Sequence, residues 1–173
     1  MRKPDVVAKE LLGKIIMFRG KKARIVETEA YFDEKDPASR ASKGENKVHK
    51  MMKEEAGKIL VYNVHKYKML NFVCEKKNKA GAVLIRALEP LNFKGRCNGP
   101  GLLTECLGIS DVLHGKFINK KGSIYVFNDN FNVEDSKIER DFRIGVVEDL
   151  EEPLRFFIKG NNHVSRKAYN KRL

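Results

Sequence analysis

The segment 82–90 constrains the fold most strongly, because it is an apolar strand that contains one arginine. Residues 82–88 are otherwise Ala, Val, Leu and Ile, which is typical of a strand inside a hydrophobic core. A guanidinium group stays charged at ordinary pH, so Arg86 requires an anion beside it within the fold. The anion could be the carboxylate of Glu29 or a bound phosphate. The alternative is a structural ion pair with any other carboxylate.

A second predicted strand, residues 24–31, carries two carboxylates. Side chains alternate along a strand, which predicts that one face holds Ile25, Glu27, Glu29 and Tyr31. The other face, which we expect to meet the core, holds Val26, Thr28 and Ala30. Two acidic side chains beside a tyrosine can supply a general base if a pocket encloses them. The alternative is a solvated edge strand with both carboxylates as ordinary surface charges.

Many short strands and few helices indicate a mixed α+β fold, since the strand–helix–strand alternation of a doubly wound parallel sheet is absent. The predicted strands span residues 14–18, 23–31, 59–65, 69–75, 82–88, 123–127, 143–147 and 154–158. The predicted helices span residues 5–12, capped by Asp5 and stopped at Gly13, 49–55, and 100–107, ended by Gly108. Residues 66–68 would form the turn of a protruding hairpin. The length predicts a single domain, residues 1–173, on a curved antiparallel β-sheet.

The charge of the chain favours a polyanionic partner. It has 35 Lys and Arg residues against 23 Asp and Glu, a formal charge of +12. Cations that neutralise phosphates release condensed counterions, which drives binding to nucleic acid. The alternative is a lysine-rich surface that only keeps the protein solvated. Basic residues continue through segment 166–172 near the end of the chain.

Several classes of protein are disfavoured by what the sequence lacks. No apolar run has the length of a membrane span, and no apolar signal segment follows the charges of residues 1–5, so we expect neither a membrane protein nor a secreted one. Cys74, Cys97 and Cys106 show no CxxC spacing, which is typical of free thiols in a reducing compartment. The four histidines have no metal-ligand spacing. We therefore expect no metal and no cofactor.

Two segments together are highly specific for one family: VETEAY at residues 26–31 and VLIRALEP at residues 83–90. Further matching segments follow in the same order over nearly the whole chain, among them residues 36–39, 98–101, 153–156 and 162–165. The chain resembles the alkyladenine/3-methyladenine DNA glycosylases that lack a helix-hairpin-helix motif. This resemblance implies a base-excision repair enzyme that flips an alkylated or deaminated purine out of duplex DNA and hydrolyses the N-glycosidic bond.

The resemblance also assigns catalytic roles to particular residues. It makes Glu29 the general base that activates water. Arg86 would hold that water or a nearby phosphate, and the carbonyl of Val164 would be a further water contact. A carboxylate beneath C1′ would stabilise the oxocarbenium-like sugar of the transition state. The implied enzyme is a monofunctional glycosylase without a cofactor.

The base pocket and the DNA contacts are implied in the same way. Tyr31 and Tyr62 would be aromatic walls that attract positively charged alkylated purines, and Asn71 would discriminate against guanine. Glycines at a helix start let a phosphate approach free N–H groups, although residues 98–101 could equally be an ordinary turn. The expected phosphate-binding residues are Lys66, Lys68, Gly99, Gly101 and Ser165.

Three departures from the family pattern concern the base pocket and the hairpin. Arg40 stands where the family usually has a histidine that contacts the flipped base, so base preference could differ here. The family's Thr-x-Arg-Asn stretch is not recognisable at residues 46–49, and the hairpin run 63–68 is about one residue shorter than usual. A residue at the hairpin tip is expected to wedge into the gap left by the flipped nucleotide. Either His65, by position, or Tyr67, by chemistry, could be that wedge.

The expected partner is double-stranded DNA containing damaged purines, bound by a monomer in the cytoplasm, at the nucleoid, or in a nucleus. The departures motivate one alternative, a basic DNA-binding module that keeps the fold without catalysis. Retention of Glu29, Arg86 and Tyr31 together argues against this alternative.

Overall fold

A long central strand organises the sheet of this protein, whose computed structural model describes residues 2–121 and 124–165. Strand β2 (Lys21–Tyr31) pairs along nearly its whole length with β5 (Ala82–Pro90). The other described strands are β1 (Ile15–Phe18), β3 (Ile59–Val64), β4 (Tyr67–Val73), β6 (Tyr125–Phe127), β7 (Ile138–Asp141) and β8 (Arg155–Ile158). All of these strands belong to one sheet in which every pairing is antiparallel.

The sheet curls because β2 changes its neighbour on one edge. The main order is β3–β4–β5–β2–β1–β6. The first part of β2 pairs with β1, whereas Glu27, Thr28 and Glu29 pair with β8, which in turn pairs with β7. The predicted α+β class, with a curved antiparallel sheet and a few short helices, is confirmed.

A register shift in β2 corrects the predicted alternation of its side chains. The pairing with β5 is irregular on both sides of Glu27, as in a β-bulge, where one strand gains a residue. Ile25 and Val26 are both fully buried in the same apolar core, so Ile25 does not share the face of the two carboxylates as predicted. Beyond the shift, the side chains of Glu27 and Glu29 lie on the face of β2 that is turned away from the apolar core.

Short helices cover the core face of the sheet. Helix α1 (Pro4–Leu11) packs on β2, where the Thr28 hydroxyl donates to the carbonyl of Ala8 at 2.9 Å. Its N-cap is Lys3 and proline occupies the first turn, so the prediction of Asp5 as the cap is wrong. Helix α3 (Pro100–Leu107) has the predicted bounds and ends at Gly108, whose φ of +74° is left-handed.

Two predicted elements differ in the region outside the core. Residues 143–147 form a loop instead of a strand, because the backbone N–H and the side chain of Arg143 bind Asp149 and fold the segment back on itself. The neighbouring strand β7 was not predicted. Helix α2 (Lys47–Met52) begins two residues before the predicted segment 49–55, since Asn46 caps it by accepting from the N–H groups of Val48 and His49.

The structure leaves part of two predictions untested. The basic segment 166–172 and Ser123, the first residue of a predicted strand, lie outside the described residues. Within the described part of the chain, no helix is both long and apolar enough to cross a membrane.

The three cysteines offer a test of the core. All are free thiols; Cys74 and Cys97 are buried and Cys106 is partly exposed. Burial raises the pKa of Cys74 and of Cys97 to about 12 each, and a protonated, buried thiol does not attack a disulfide reagent. Ellman's reagent at mildly alkaline pH should therefore modify one thiol in the native protein and all three after denaturation. Rapid reaction of Cys97 in the native protein would contradict this packing.

Candidate active site

A cleft of about 630 Å³ opens on the face of the sheet that carries Glu29. Its floor is formed by β2 to β5, and its rim by residues 37–43, Pro100 and the loop 144–148. The volume is in the range of small-molecule binding sites. Glu29, Tyr31, Arg40, Tyr62 and Arg86 all line this cleft, so residues that are far apart in sequence meet at one place.

Glu29 lies at the floor of the cleft, fully screened from bulk solvent. Its Oε1 accepts from the backbone N–H of Ile144 at 2.9 Å, and its Oε2 accepts from the Tyr31 hydroxyl at 2.8 Å. An ionised carboxylate has about four lone-pair sites, so Oε2 retains a free acceptor site. The two donors fix the orientation of the carboxylate without saturating it.

Arg86 lies between the two carboxylates of β2. Its Nε is 3.3 Å from Oε1 of Glu27 and 3.4 Å from Oε1 of Glu29. These separations are within ion-pair range, but neither contact has the geometry of a hydrogen bond to Nε. The counterion predicted for Arg86 is therefore a pair of carboxylates, those of Glu27 and Glu29.

Glu27 holds the segment that follows β8. Its Oε2 accepts from the backbone N–H of Ser165 at 2.7 Å, and its Oε1 accepts from the Ser165 hydroxyl at 2.8 Å and from Arg155 at 3.1 Å. Burial raises the pKa of Glu27, while Arg86 and these donors oppose the rise. Ser165, which is predicted to bind phosphate, donates both its backbone N–H and its hydroxyl to Glu27. Val164, the expected water contact, is held next to Glu27 although it does not line the cleft.

The Tyr31 wall is supported from behind by a buried arginine. The guanidinium of Arg143 lies 4.6 Å from the centre of the Tyr31 ring and binds both carboxylate oxygens of Asp36 at 2.7 Å. Burial and the adjacent Glu29 raise the pKa of Tyr31 well above its usual value. Tyr31 therefore stays protonated and able to donate to Glu29. Asp36 therefore has a structural role, since it neutralises the arginine that supports Tyr31.

Tyr62 forms a second wall of the cleft, next to Arg40. The Arg40 guanidinium lies 5.6 Å from the centre of the Tyr62 ring. Burial raises the pKa of Tyr62, and the charge of Arg40 acts in the opposite direction. The aromatic wall and a fixed cation therefore occupy the same side of the cleft.

The hairpin β3–β4 places its tip near the cleft, since Val64 lines the rim. Val64 pairs with Tyr67, so the turn consists of His65 and Lys66 and is tighter than the predicted turn 66–68. His65 is exposed at the tip with φ +52°, as at the first position of a type II′ turn. Tyr67 lies in the strand against Gly101, where a Cβ would approach its ring to 2.6 Å.

The remaining predicted residues are spread around the site. Asn71 is buried outside the cleft lining, and its amide lies 3.3 and 3.4 Å from the carbonyls of Met69 and Leu60. Lys68 forms an ion pair with Asp111 at 2.7 Å, whereas Lys66 is exposed. Gly99 is the N-cap of α3, and Gly101 is covered by Tyr67.

The comparisons with known proteins identify the family of the chain. A family described as methylpurine-DNA glycosylase (MPG) matches residues 1–162. The chain belongs to the methylpurine-DNA glycosylase family. A relative from Aeropyrum pernix is 42% identical over 173 residues, which cover 95% of this chain and 89% of the relative. A relative from Legionella pneumophila (strain Corby) is 40% identical over 170 residues, 93% of this chain and 92% of the relative. Both carry the provisional name 3-methyladenine DNA glycosylase.

Two parts of the site in this member of the methylpurine-DNA glycosylase family were not predicted from the sequence. Residues 143–147 were predicted to form a strand, yet the loop 144–148 supplies the N–H donor for Glu29 and one rim of the cleft. Arg155 could have been found by the argument that was used for Arg86, because it is also an arginine in an apolar strand and pairs with a carboxylate, that of Glu27. Among the described residues, no three His, Cys, Asp or Glu side chains form a cluster that could hold a metal ion.

Glu27 is expected to stabilise the whole site. Removing one partner of a buried ion pair leaves the other charge uncompensated, at a cost of about 3–5 kcal/mol. Glu27→Gln should therefore lower the free energy of unfolding by about 3 kcal/mol, measured by denaturant titration with circular dichroism. Glu139→Gln removes an exposed pair with Lys159 and should cost less than about 1 kcal/mol. Equal costs for the two variants would contradict the role of Glu27.

Proposed function

We propose that this chain is a monofunctional DNA glycosylase that removes damaged purines from duplex DNA by hydrolysis. Membership of the methylpurine-DNA glycosylase family and the names of its relatives support a role in DNA repair. The observation that carries the mechanism is the position of Glu29, an oriented carboxylate at the floor of an aromatic cleft. Its partners leave an acceptor site for one water molecule.

In the proposed reaction, a flipped-out nucleotide places its C1′ above Glu29. Water bound to the free site of Oε2 attacks C1′ and gives a proton to the carboxylate. The C1′–N bond breaks, and the purine leaves with the bonding electron pair: a cationic purine departs as the neutral base, and a neutral purine departs as an anion that takes up a proton from water. While that bond lengthens, the negative charge of Glu29 stabilises the positive charge that develops on the sugar.

Arg86 is proposed to set the position of water and of the sugar phosphate. Its charge is balanced by Glu27 and Glu29 together, so it can remain in a nearly dry site. Arginine is suited to this role because its planar fork of donors binds oxyanions in a defined orientation. Val164 would add its backbone carbonyl to the same water, in a segment held by Ser165 and Glu27.

Two features support duplex DNA as the form of the substrate. The charge of +12 favours the phosphate backbone, and the exposed hairpin tip beside the cleft can fill the space that a flipped nucleotide leaves. His65 occupies that tip, whereas Tyr67 is packed on α3. We therefore propose His65 as the wedge. Such a substrate would place the protein with the genome, at a nucleoid or in a nucleus.

The role of Glu29 is tested by Glu29→Gln. A general base contributes about 10²–10⁴-fold to rate, so this variant should release a damaged purine from a single-lesion duplex at least about 100-fold more slowly under single-turnover conditions. Its binding to DNA containing an abasic-site analogue should remain, which shows that the variant is folded. Glu139→Gln, an exposed carboxylate on β7, is the matched control and should react at the wild-type rate.

Near wild-type release by Glu29→Gln would overturn the mechanism. If the wild-type protein releases no purine and binds damaged and undamaged duplexes equally, the non-catalytic DNA-binding alternative is correct instead. A protein–DNA adduct trapped by borohydride would indicate a lyase with a lysine Schiff base, which this proposal excludes.

The wedge is tested by His65→Gly. Glycine tolerates the positive φ at this position, so thermal stability should be unchanged. Base release from duplex DNA should fall by about tenfold, because no side chain then fills the gap left by the flipped nucleotide. Release from single-stranded DNA should change little. Equal rates for His65→Gly and the wild-type protein on duplex DNA would assign the wedge elsewhere.

A further inference from the structure

The position of Arg40 at the rim of the cleft is fixed by the turn that it begins. Arg40–Lys43 is a short 3₁₀-helix whose N-cap, Ser39, is buried. The Ser39 hydroxyl donates to the carbonyl of Phe32 at 2.7 Å and accepts from the N–H of Ala41 at 3.2 Å. The backbone of Arg40 is thus anchored to the end of β2, while its side chain is exposed and lines the cleft.

Arg40 differs from Arg86 in how its charge is balanced. Arg86 has two carboxylates within 3.4 Å. No carboxylate of the described residues forms an ion pair with Arg40, whose neighbour is the ring of Tyr62. Arg40 therefore presents a cation without an ion-pair partner on the Tyr62 side of the cleft, whose lining also includes the carboxylates of Glu29 and Glu148.

This charge acts differently on the two kinds of damaged purine. Alkylation at ring nitrogen, as in 7-methylguanine, makes the base a cation, whereas deamination of adenine gives hypoxanthine, which is neutral. A second cation beside Tyr62 meets the charge of Arg40, and two like charges repel. A neutral purine meets no such repulsion.

The hydrogen-bonding groups of hypoxanthine are also complementary to arginine. Arginine binds the O6 and N7 acceptors of guanine in a bidentate manner, and hypoxanthine presents the same two acceptors. Methylation at N7 removes one of them and adds charge. Charge and donor pattern thus favour the same class of base.

We propose that Arg40 is a specificity-determining residue that directs this enzyme toward neutral purines with O6 and N7 acceptors, of which hypoxanthine is the example, and against cationic alkylated purines. The inference rests on the proposed glycosylase function and names the substrate class of the same cleft. It concerns relative rates, because the leaving ability of a cationic base is intrinsically greater.

The test compares Arg40→Gln with the wild-type protein on two duplexes of the same sequence, one with hypoxanthine and one with 7-methylguanine. Single-turnover base release is measured for each, and each rate is divided by the spontaneous rate for that lesion. Arg40→Gln should raise the ratio of 7-methylguanine to hypoxanthine release by about tenfold, because it removes a like charge that repels only the cationic base. Arg40→Lys, which keeps the charge, should leave most of the discrimination against 7-methylguanine intact.

Lys35→Gln is the matched control, since it removes an exposed cation from the same segment outside the cleft lining. It should lower the affinity for both duplexes alike and leave the ratio unchanged. An unchanged ratio in Arg40→Gln, or the same change in Lys35→Gln, would overturn the role of Arg40 while leaving the glycosylase function intact. If the wild-type protein releases neither of these bases nor 3-methyladenine, the proposed function is overturned; release of 3-methyladenine alone would overturn the preference assigned to Arg40.

Discussion

The site depends on the need to neutralise buried guanidinium groups. Arg86, Arg155 and Arg143 are all nearly inaccessible to solvent, and each requires carboxylates because isolated charges are costly to bury. Glu27 serves two of these arginines, and Asp36 and Asp149 serve the third. Glu29 also pairs with Arg86. The ion pairs that balance the buried charges therefore also position the proposed catalytic base.

The parts of this arrangement that are local in sequence could be predicted. The pattern of residues 82–90 predicts a buried strand with a cation that needs a counterion. Residues 24–31 supply two carboxylates spaced two residues apart, as they must be to lie on one face of a strand. Helix α3 was predicted to its bounds because proline at the start and Gly108 at the end are strong local signals. The meeting of Tyr31, Tyr62 and Arg86 around one cleft was expected from family resemblance rather than from spacing alone.

The parts that failed are those decided by tertiary contacts. The apolar pattern of residues 143–147 favours a strand, but Arg143 is bound both by Asp149 and by Asp36, which lies more than a hundred residues earlier, and the chain forms a loop instead. The β-bulge near Val26 likewise has no local signature, since it shows only in the register with β5. The sequence around Ser165 shows only a polar residue beside a basic segment. Its partner Glu27 lies 138 positions away, so no local pattern indicates their contact.

The contact between the hairpin and α3 has a mechanical consequence. Tyr67 lies directly against Gly101, and the Thr104 hydroxyl donates to the carbonyl of Lys68 at 2.9 Å. The hairpin is thereby clamped to the helix on one side while its tip remains free. The position of the hairpin relative to the start of α3 is therefore set within the protein itself, before any ligand binds.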